Sequence, residues 1–463
     1  MSVKPANVVD NTAQFGEDSI IKLMIKYSSP AIMASMVQAA FNIINMTFIG
    51  RSVGPLGIGA ISICGPITMI TGAFNMLIGN GCAAVVAIKL GEGDRESCRE
   101  ILGASIMFNL LFASVSLVAG FIFMEPILRA FGASDTLMPM AKEYLSIMMF
   151  GFLVGFFMTM NPMMRIEGYP KRAMITMLLS GVVNFICTPI FLFVFHMGIR
   201  GAALGTLCAQ VSTSVWMLAF LLNKERVIGL KWRYCRLNTR YFSQVVQFGL
   251  PNFLMNFAQS FLSAVMNTSL VTHGGDIAIS AWGITNNISG LIGQPVMGLN
   301  QAIQPIVGYN IGARKYHRVK QTLWYSLVAA TGIATLGWLT TSFFPAQIMG
   351  FFNDDPQLIA VGGTMLVVFR ALIFVTGIQQ VGSAYFQFVG RPKISILLTL
   401  SRQMLILLPC VVVLSSFFGL DGILYSGPLA DAISTVIVVV FLLLERKRLN
   451  ELMREHMAER SIA

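Results

Sequence analysis

The stretch from Gly249 to Gly312 opens GLPNFLMNFAQSFLSAVMNTSL, passes through GGDIAISAWGI at 274–284 and closes on QPIVGYNIG at 304–312. Almost the same layout stands 221 residues earlier: Pro30 answers Pro251, Gln38 answers Gln259, Gly54 answers Gly275, Ala60 answers Ala281 and Gly91 answers Gly312. The correspondence runs on, with Gly201 matching Gly422 and, after one gap, Pro170-Lys171 matching Pro392-Lys393. The chain is therefore a tandem duplication, and that decides domain count and topology before any single residue is weighed.

Composition sets the class. Of 463 residues, 55% are hydrophobic and 11% charged, and the mean hydropathy is +0.72. Those values exclude an ordinary soluble domain and indicate a polytopic membrane protein. The net charge of +11 does not point to nucleic acid, because the positive residues fall in short loops between apolar runs. The seven cysteines and four histidines are scattered without metal or CxxC spacing, so neither a metal site nor a cofactor is expected. The first twenty residues are polar and lack the apolar core of a signal peptide.

Runs of about 20 apolar residues suffice to cross the hydrocarbon layer. Such runs predict twelve helices, near 21–46, 56–88, 100–124, 137–164, 174–196, 200–223, 244–272, 277–309, 322–344, 357–388, 395–417 and 422–444. The even-numbered loops hold the basic residues, among them Lys89, Arg95 and Arg99, Arg165, Lys171 and Arg172, and Lys224 to Arg240. The odd loops hold only Arg51, Arg129 and Arg200, along with Asp354 and Asp355. That bias puts both termini in the cytoplasm. The expected organisation is an N-terminal tail at 1–20, a six-helix bundle at 21–223, a basic linker at 224–243, a second bundle at 244–444 and a cytoplasmic tail at 445–463. An even number of helices per copy makes the repeats parallel, related by an axis along the membrane normal, with a cavity between them. The linker reads as a solvated connector; the tail reads as a charged helix that lies on the membrane or continues the last span.

Chemistry is sparse. No nucleotide-binding loop and no nucleophile–base pattern is visible, so an ion gradient is the remaining energy source for transport. An ionisable group inside a span is a functional candidate by default. The clearest acid is Asp431, roughly 12 Å into the last helix at ~1.5 Å per residue, with Arg402 and Arg370 approaching from the opposite side. The pair is either a coupling site or a lock between helices. Amides form stripes that repeat: Gln38, Asn42 and Asn45 share one face of the first helix, and Asn256 and Gln259 share one face of the seventh. Such stripes serve helix–helix hydrogen bonds or line a polar cavity. A cavity of amides, Met and Phe suits amphipathic, often cationic, organic molecules.

The chain resembles the multidrug and toxic compound extrusion (MATE) family, and particularly its MepA-like bacterial branch, over nearly its whole length. The resemblance rests on FNIINMTFIG at 41–50, GYPKRAM at 168–174, NFICTPIFLF at 184–193, GIRGAALGT at 198–206, YFQFVGRPK at 385–393, LSRQMLILLP at 400–409 and GLDGILYSGPLAD at 419–431, taken in order with the repeat. It implies two six-helix bundles with a V-shaped cleft, in the bacterial inner membrane, exporting drugs by alternating access in exchange for H+ or Na+. A flippase for a lipid-linked precursor in the same superfamily and a non-transporting membrane protein remain alternatives. Where the family often carries acids, this chain has Asn45 on the first helix, Thr188 after Asn184 on the fifth and Gln259 on the seventh. The expected ion-coupling residues are therefore Asp431 and Arg402, and the expected substrate-binding residues are Gln38, Asn42, Asn45, Asn184, Thr188, Asn256 and Gln259. The partners implied are small organic substrates and the bilayer, with the chain working as a monomer and without nucleic acid.

Overall fold

The structure, a computed structural model, describes residues 11–462 apart from Gly132, Lys224, Glu225, Asn353 and Asp354. The side chains of Asn42, Ile43, Met46, Gly50, Pro55, Ile58, Asp276 and residues 460–462 also lie outside the described set. So do the first ten residues of the tail expected at 1–20, and Asp354 among the loop charges.

Among the described residues the secondary structure is helical throughout, without strands. Contacts divide the chain into two units, one formed by the residues up to Glu17 with Ser29–Gly249, the other by Asp18–Ser28 with Leu250–Ala463. The helix starts thus group differently from the ranges read off the apolar runs: Asp18–Ser28 joins the second unit, and the chain as far as Gly249 stays with the first.

The first unit is built from α1 (Ile20–Gly91) beyond its first turns, α2 (Arg95–Ile122), α3 (Met138–Val154), α4 (Pro170–Pro189) and α5 (Gly198–Leu222). Helix α3 runs on through a 3₁₀ stretch, Gly155–Met160, into Asn161–Ile166, and α4 ends in a π-helical stretch, Ile190–Val194. The second unit contains α6 (Thr239–Gly312), α7 (Tyr316–Phe343), α8 (Pro356–Val368), α9 (Thr376–Phe388), α10 (Pro392–Leu400) and α11 (Leu408–Ile462). Helices α8 and α9 form one span bent by 48° at its break, and a π-helical stretch, Ser401–Leu407, joins α10 to α11. Helix starts follow local chemistry. Asp94 caps α2 by accepting the Ser97 N–H at 3.0 Å, and prolines open α4, α8 and α10, where a missing N–H costs nothing.

The long helices turn at single glycines: Gly54 in α1 (φ 75°, ψ −169°), Gly275 in α6 (φ 65°, ψ −164°) and Gly419 in α11 (φ 59°, ψ −132°). Gly54 and Gly275 lie in a region that essentially only glycine enters. They also answer one another in the repeat, and so do the other left-handed positions except His196 (φ 50°). Gly93 (φ 82°) pairs with Arg314 (φ 55°), Gly168 (φ 91°) with Gly390 (φ 85°), and Gly198 (φ 57°) with Gly419 (φ 59°). The duplication is therefore written in backbone conformation as well as in residue identity. Divided at the glycine turns, with bent pieces joined, each repeat has six helical segments, the twelve expected.

Eight stretches among the described residues are long and apolar enough to cross a membrane, nine with the bent pair counted as one span. Helix α6 is absent from that set because its arms carry Asn252, Asn256, Gln259 and Asn267, then Asn286 and Asn287. Large apolar side chains stand outward elsewhere, such as Val115, Val118 and Ile122 on α2 and Phe417 and Val436 on α11, as a lipid-facing surface requires. Inside the first unit, Cys64, Leu128, Leu145, Met148 and Ala203 form a core. Inside the second, Leu262, Met266, Met365, Phe369 and Ile423 do so.

The first part of the connector between the repeats, residues 226–230, is docked, where the sequence reads as a solvated linker; most of 231–240 is exposed, as that reading expects. Val227, Ile228 and Leu230 are buried, and Arg226 lies between the rings of Tyr169 and Phe220 at 4.1 and 4.3 Å. Arg99 donates to the Val227 carbonyl at 3.1 Å. The apolar residues supply burial there, and the Arg226 guanidinium stacks on rings instead of being left in water. Lys224 lies outside the described residues. The C-terminal tail continues α11 without a break, with Leu449 fully buried and Glu445 held by Arg391 at 2.8 Å and Arg448 at 3.0 Å.

Gly275→Ala puts a β-carbon on a backbone that rejects it and is expected to cost about 1–3 kcal/mol. Gly283→Ala, a helical position of α6 with open space around it, is expected to be neutral or slightly stabilising. Thermal unfolding of the two purified variants measures the contrast.

Candidate functional site

In the second unit, three irregular pieces of backbone come together around one carboxylate. Asp431 stands on the second arm of α11, three residues beyond the in-helix Pro428. Arg402 stands in the π-helical stretch after α10. Its Nε donates to Asp431 Oδ1 at 2.8 Å, in a pair whose side chains are 19% and 1% exposed respectively. Arg370 sits in the break between α8 and α9. The carbonyl of its neighbour Phe369 packs against Gly427, one turn before Asp431. π-Helical insertions and broken spans leave backbone groups unpaired in a non-aqueous interior and persist mainly where a site needs them.

Of the amides read as a stripe on α6, Gln259 attaches to this centre, and Asn256 bonds within α6. Gln403, next to Arg402, donates through Nε2 to Gln259 Oε1 at 3.1 Å; its own Oε1 is buried without a partner. Asn256 donates to the Asn252 carbonyl at 2.8 Å, and Asn252 in turn donates to Gln387 Oε1 at 3.3 Å. The structure thus joins Gln259 to the Arg402–Asp431 neighbourhood, through a residue that sequence reasoning passed over. Its only signal was adjacency to Arg402.

The first unit has no charge pair in the matching place. Gln210 stands 221 residues before Asp431, and its Oε1 is buried without a partner. Asn184 on α4 donates to Thr206 Oγ1 on α5 at 3.3 Å. Thr188, fully buried, packs on Gly205 of α5 with its hydroxyl unpartnered. Any β-carbon at position 205 would strike it. Asn45 lies on α1 between Phe41 and Phe48, whose rings meet Phe185 of α4 at 6.1 and 5.7 Å, and its Oδ1 is also buried without a partner. Gln38 is half-buried on the same helix; the side chain of Asn42 lies outside the described residues.

A second group went unread because loop acids are normally solvated. Glu167 follows the last turn of the span ending at Ile166, yet is 1% exposed with both carboxylate oxygens unpartnered. Burial pushes its carboxyl up to about 7, against the opposing pull of Arg226 and Arg99. Among the described residues no three His, Cys, Asp or Glu side chains gather closely enough to hold a metal ion.

Comparison with known proteins gives the same picture by another route. The MatE family profile matches residues 30–190 and again 251–413, reproducing the duplication. The chain is 25% identical over 439 residues to the multidrug export protein MepA of Staphylococcus aureus (strain NCTC 8325 / PS 47), covering 94% of this chain and 96% of that one. Among solved structures, the MATE multidrug transporter DinF-BH, solved in complex with a ligand, superposes with a TM-score of 0.87 at 30% identity, covering 93% and 97%. A MATE protein in complex with MaL6 superposes with a TM-score of 0.88 at 21% identity, covering 96% and 99%.

The Glu167 carboxyl makes stability depend on pH with a definite sign. The folded state holds this proton up to about pH 7, whereas the unfolded chain releases it near the ordinary value of ~4.3. Stability therefore falls as pH rises between those points, by about 4 kcal/mol at most, and is level above them. Unfolding midpoints of the purified protein at pH 5 and pH 8 should differ in that sense, and Glu167→Gln should shrink the difference.

Proposed function

From the premise that this chain belongs to the MATE family of multidrug efflux transporters, we propose that it is a secondary active exporter of amphipathic organic compounds, driven by inward movement of H+ or Na+. The proposal places both termini in the cytoplasm, on the side of the basic loops, and takes one chain as the working unit. The observation that carries it is the Arg402–Asp431 pair, buried within spanning segments at 2.8 Å where three backbone irregularities meet. A carboxylate at that depth is expensive unless it is used.

The mechanism follows from the geometry. Asp431 gives one oxygen to Arg402 Nε. A coupling cation reaches the carboxylate only when that bond opens. Arg402 is placed for this because a π-helical stretch holds one residue more than an α-helix of the same rise. Its return to α-geometry turns the following side chains by roughly 100°, one residue's rotation. The pair then alternates between internal ion pair and occupied site, and the break at Phe369 and the turn at Gly419 supply points about which neighbouring segments bend.

The amides supply contacts without titrating. Gln38, Asn42 and Asn45 on α1, Asn184 and Thr188 on α4, and Asn256 and Gln259 on α6 are the proposed substrate contacts. In support, Asn45, Thr188 and Gln403 each keep a buried polar atom unpartnered, a cost that binding would offset. The relatives support the substrate class: MepA is a multidrug export protein, and DinF-BH is a multidrug transporter.

The test is efflux of ethidium from cells expressing the wild type, Asp431→Asn or Asn45→Asp, with H+ and Na+ gradients imposed separately. Asp431→Asn should lose at least about tenfold in gradient-driven rate, equivalent to about 1.4 kcal/mol in the transport barrier, with the protein still in the membrane. Unchanged efflux would remove Asp431 from coupling and leave it a packing residue.

A further inference from the structure

Beyond its docked residues 226–230 the connector lies along α2. The Tyr234 hydroxyl donates to Glu96 Oε1 at 3.2 Å, and the Tyr234 carbonyl rests on Gly103, where any β-carbon would strike it. Phe242, just after the connector, stacks on Phe108 at 3.8 Å. These contacts fix the depth of the segment. Gly103 stands beyond Glu100, the last charged residue of α2, at roughly 12 Å along the helix axis from Arg95. The connector therefore crosses α2 where charge gives way to apolar sequence, which in a spanning helix is the boundary between headgroups and hydrocarbon.

Two kinds of side chain are left uncovered at that depth. Trp232 is 68% exposed and Leu237 54%. Lys231, Arg233, Arg236 and Arg240 are exposed around them, and the stretch from Lys231 to Arg240 contains no acid. Arg233 has Glu96 at 3.7 Å, whereas Lys231, Arg236 and Arg240 make no ion pair among the described residues. We propose that Lys231–Arg240 is a docking surface for anionic phospholipid: the cations take the headgroup phosphates of the leaflet beside them, and Trp232 and Leu237 enter the upper acyl chains. An indole is suited to that layer because its ring is apolar and its N–H polar. Each Lys or Arg held at an anionic membrane surface adds about fivefold to the preference for it. A soluble anion would meet the charges but leave Trp232 and Leu237 in water. The inference needs only that the chain spans a membrane, and stands apart from the exporter reading.

Trp232 supplies the measurement. The full-length protein is reconstituted in phosphatidylcholine vesicles that contain a minor, equal fraction of brominated phosphatidylglycerol or brominated phosphatidylcholine. Bromine quenches tryptophan on contact, and the difference between the wild type and Trp232→Phe isolates the Trp232 signal from that of the other tryptophans. Brominated phosphatidylglycerol should quench that signal at least about fivefold more effectively than brominated phosphatidylcholine. The preference should narrow at high salt, because screening reaches an exposed patch. Lys231→Gln, Arg236→Gln and Arg240→Gln combined, all at exposed positions, should bring the two lipids close to parity. Arg236→Lys with Arg240→Lys should keep the preference, since a leaflet reads charge and not the guanidinium plane.

Equal quenching by the two lipids in the wild type, including none by either, overturns the proposal. So does a preference that persists in the triple glutamine variant. A preference that inorganic phosphate removes, while sodium chloride at the same ionic strength leaves it, also overturns the lipid assignment and marks a site for soluble phosphate.

Discussion

In a bilayer the backbone has no water to bond, so every N–H and C=O must find its partner within the protein. That constraint makes the described residues helical throughout and gives each departure from helix a meaning. The turns at Gly54, Gly275 and Gly419 occur between spanning arms, where polar groups regain a partner or the interface. The π-helical stretches and the break between α8 and α9 are different, because they lie within spans. Two of these three interior departures carry arginines: Arg402, which pairs with Asp431 at 2.8 Å, and Arg370, which lies over the Phe369 ring.

Duplication accounts for most of the architecture, and its failures locate the chemistry. Left-handed backbone positions recur from one repeat to the other, so the two copies still bend alike. Side chains have diverged: Asp431 in the second copy answers Gln210 in the first, and Arg402 answers a position occupied by small residues beneath Phe41. A charge pair confined to one copy makes the halves chemically unequal. In the first unit an amide and a hydroxyl join α4 to α5, and phenylalanine rings join α1 to α4; in the second, Gln259 leads through Gln403 toward a buried ion pair.

Two further buried carboxylates stand away from the Arg402–Asp431 centre, one within the C-terminal part of α11 and one just past the helix that ends at Ile166. Glu445 sits between Arg391 and Arg448 in the second unit, and Glu167 faces Arg226 and Arg99 in the first. The difference is geometric. Glu445 has close ion pairs, whereas both oxygens of Glu167 lack hydrogen bonds and its carboxyl is pushed up to about 7. The docking of Arg226–Leu230 surrounds that group with cations and apolar side chains in a region that composition alone marks as solvated.

Local chemistry in the sequence was enough for the membrane class, the twelve segments, the repeat and the family resemblance. These rest on span length, loop charge and residue identity at a fixed offset, all of which are properties of neighbours along the chain. Asp431 and Arg402 were legible for the same reason, since an ionisable residue in an apolar run stands out wherever it lands. The tertiary structure decided which of these groups meet. Gln403 joins Gln259 to the pair across 144 residues, Arg370 is left without a hydrogen bond, the first part of the connector is buried, and a loop glutamate is enclosed. Burial and partnership depend on packing between distant segments, and a residue's own surroundings in the chain do not determine them.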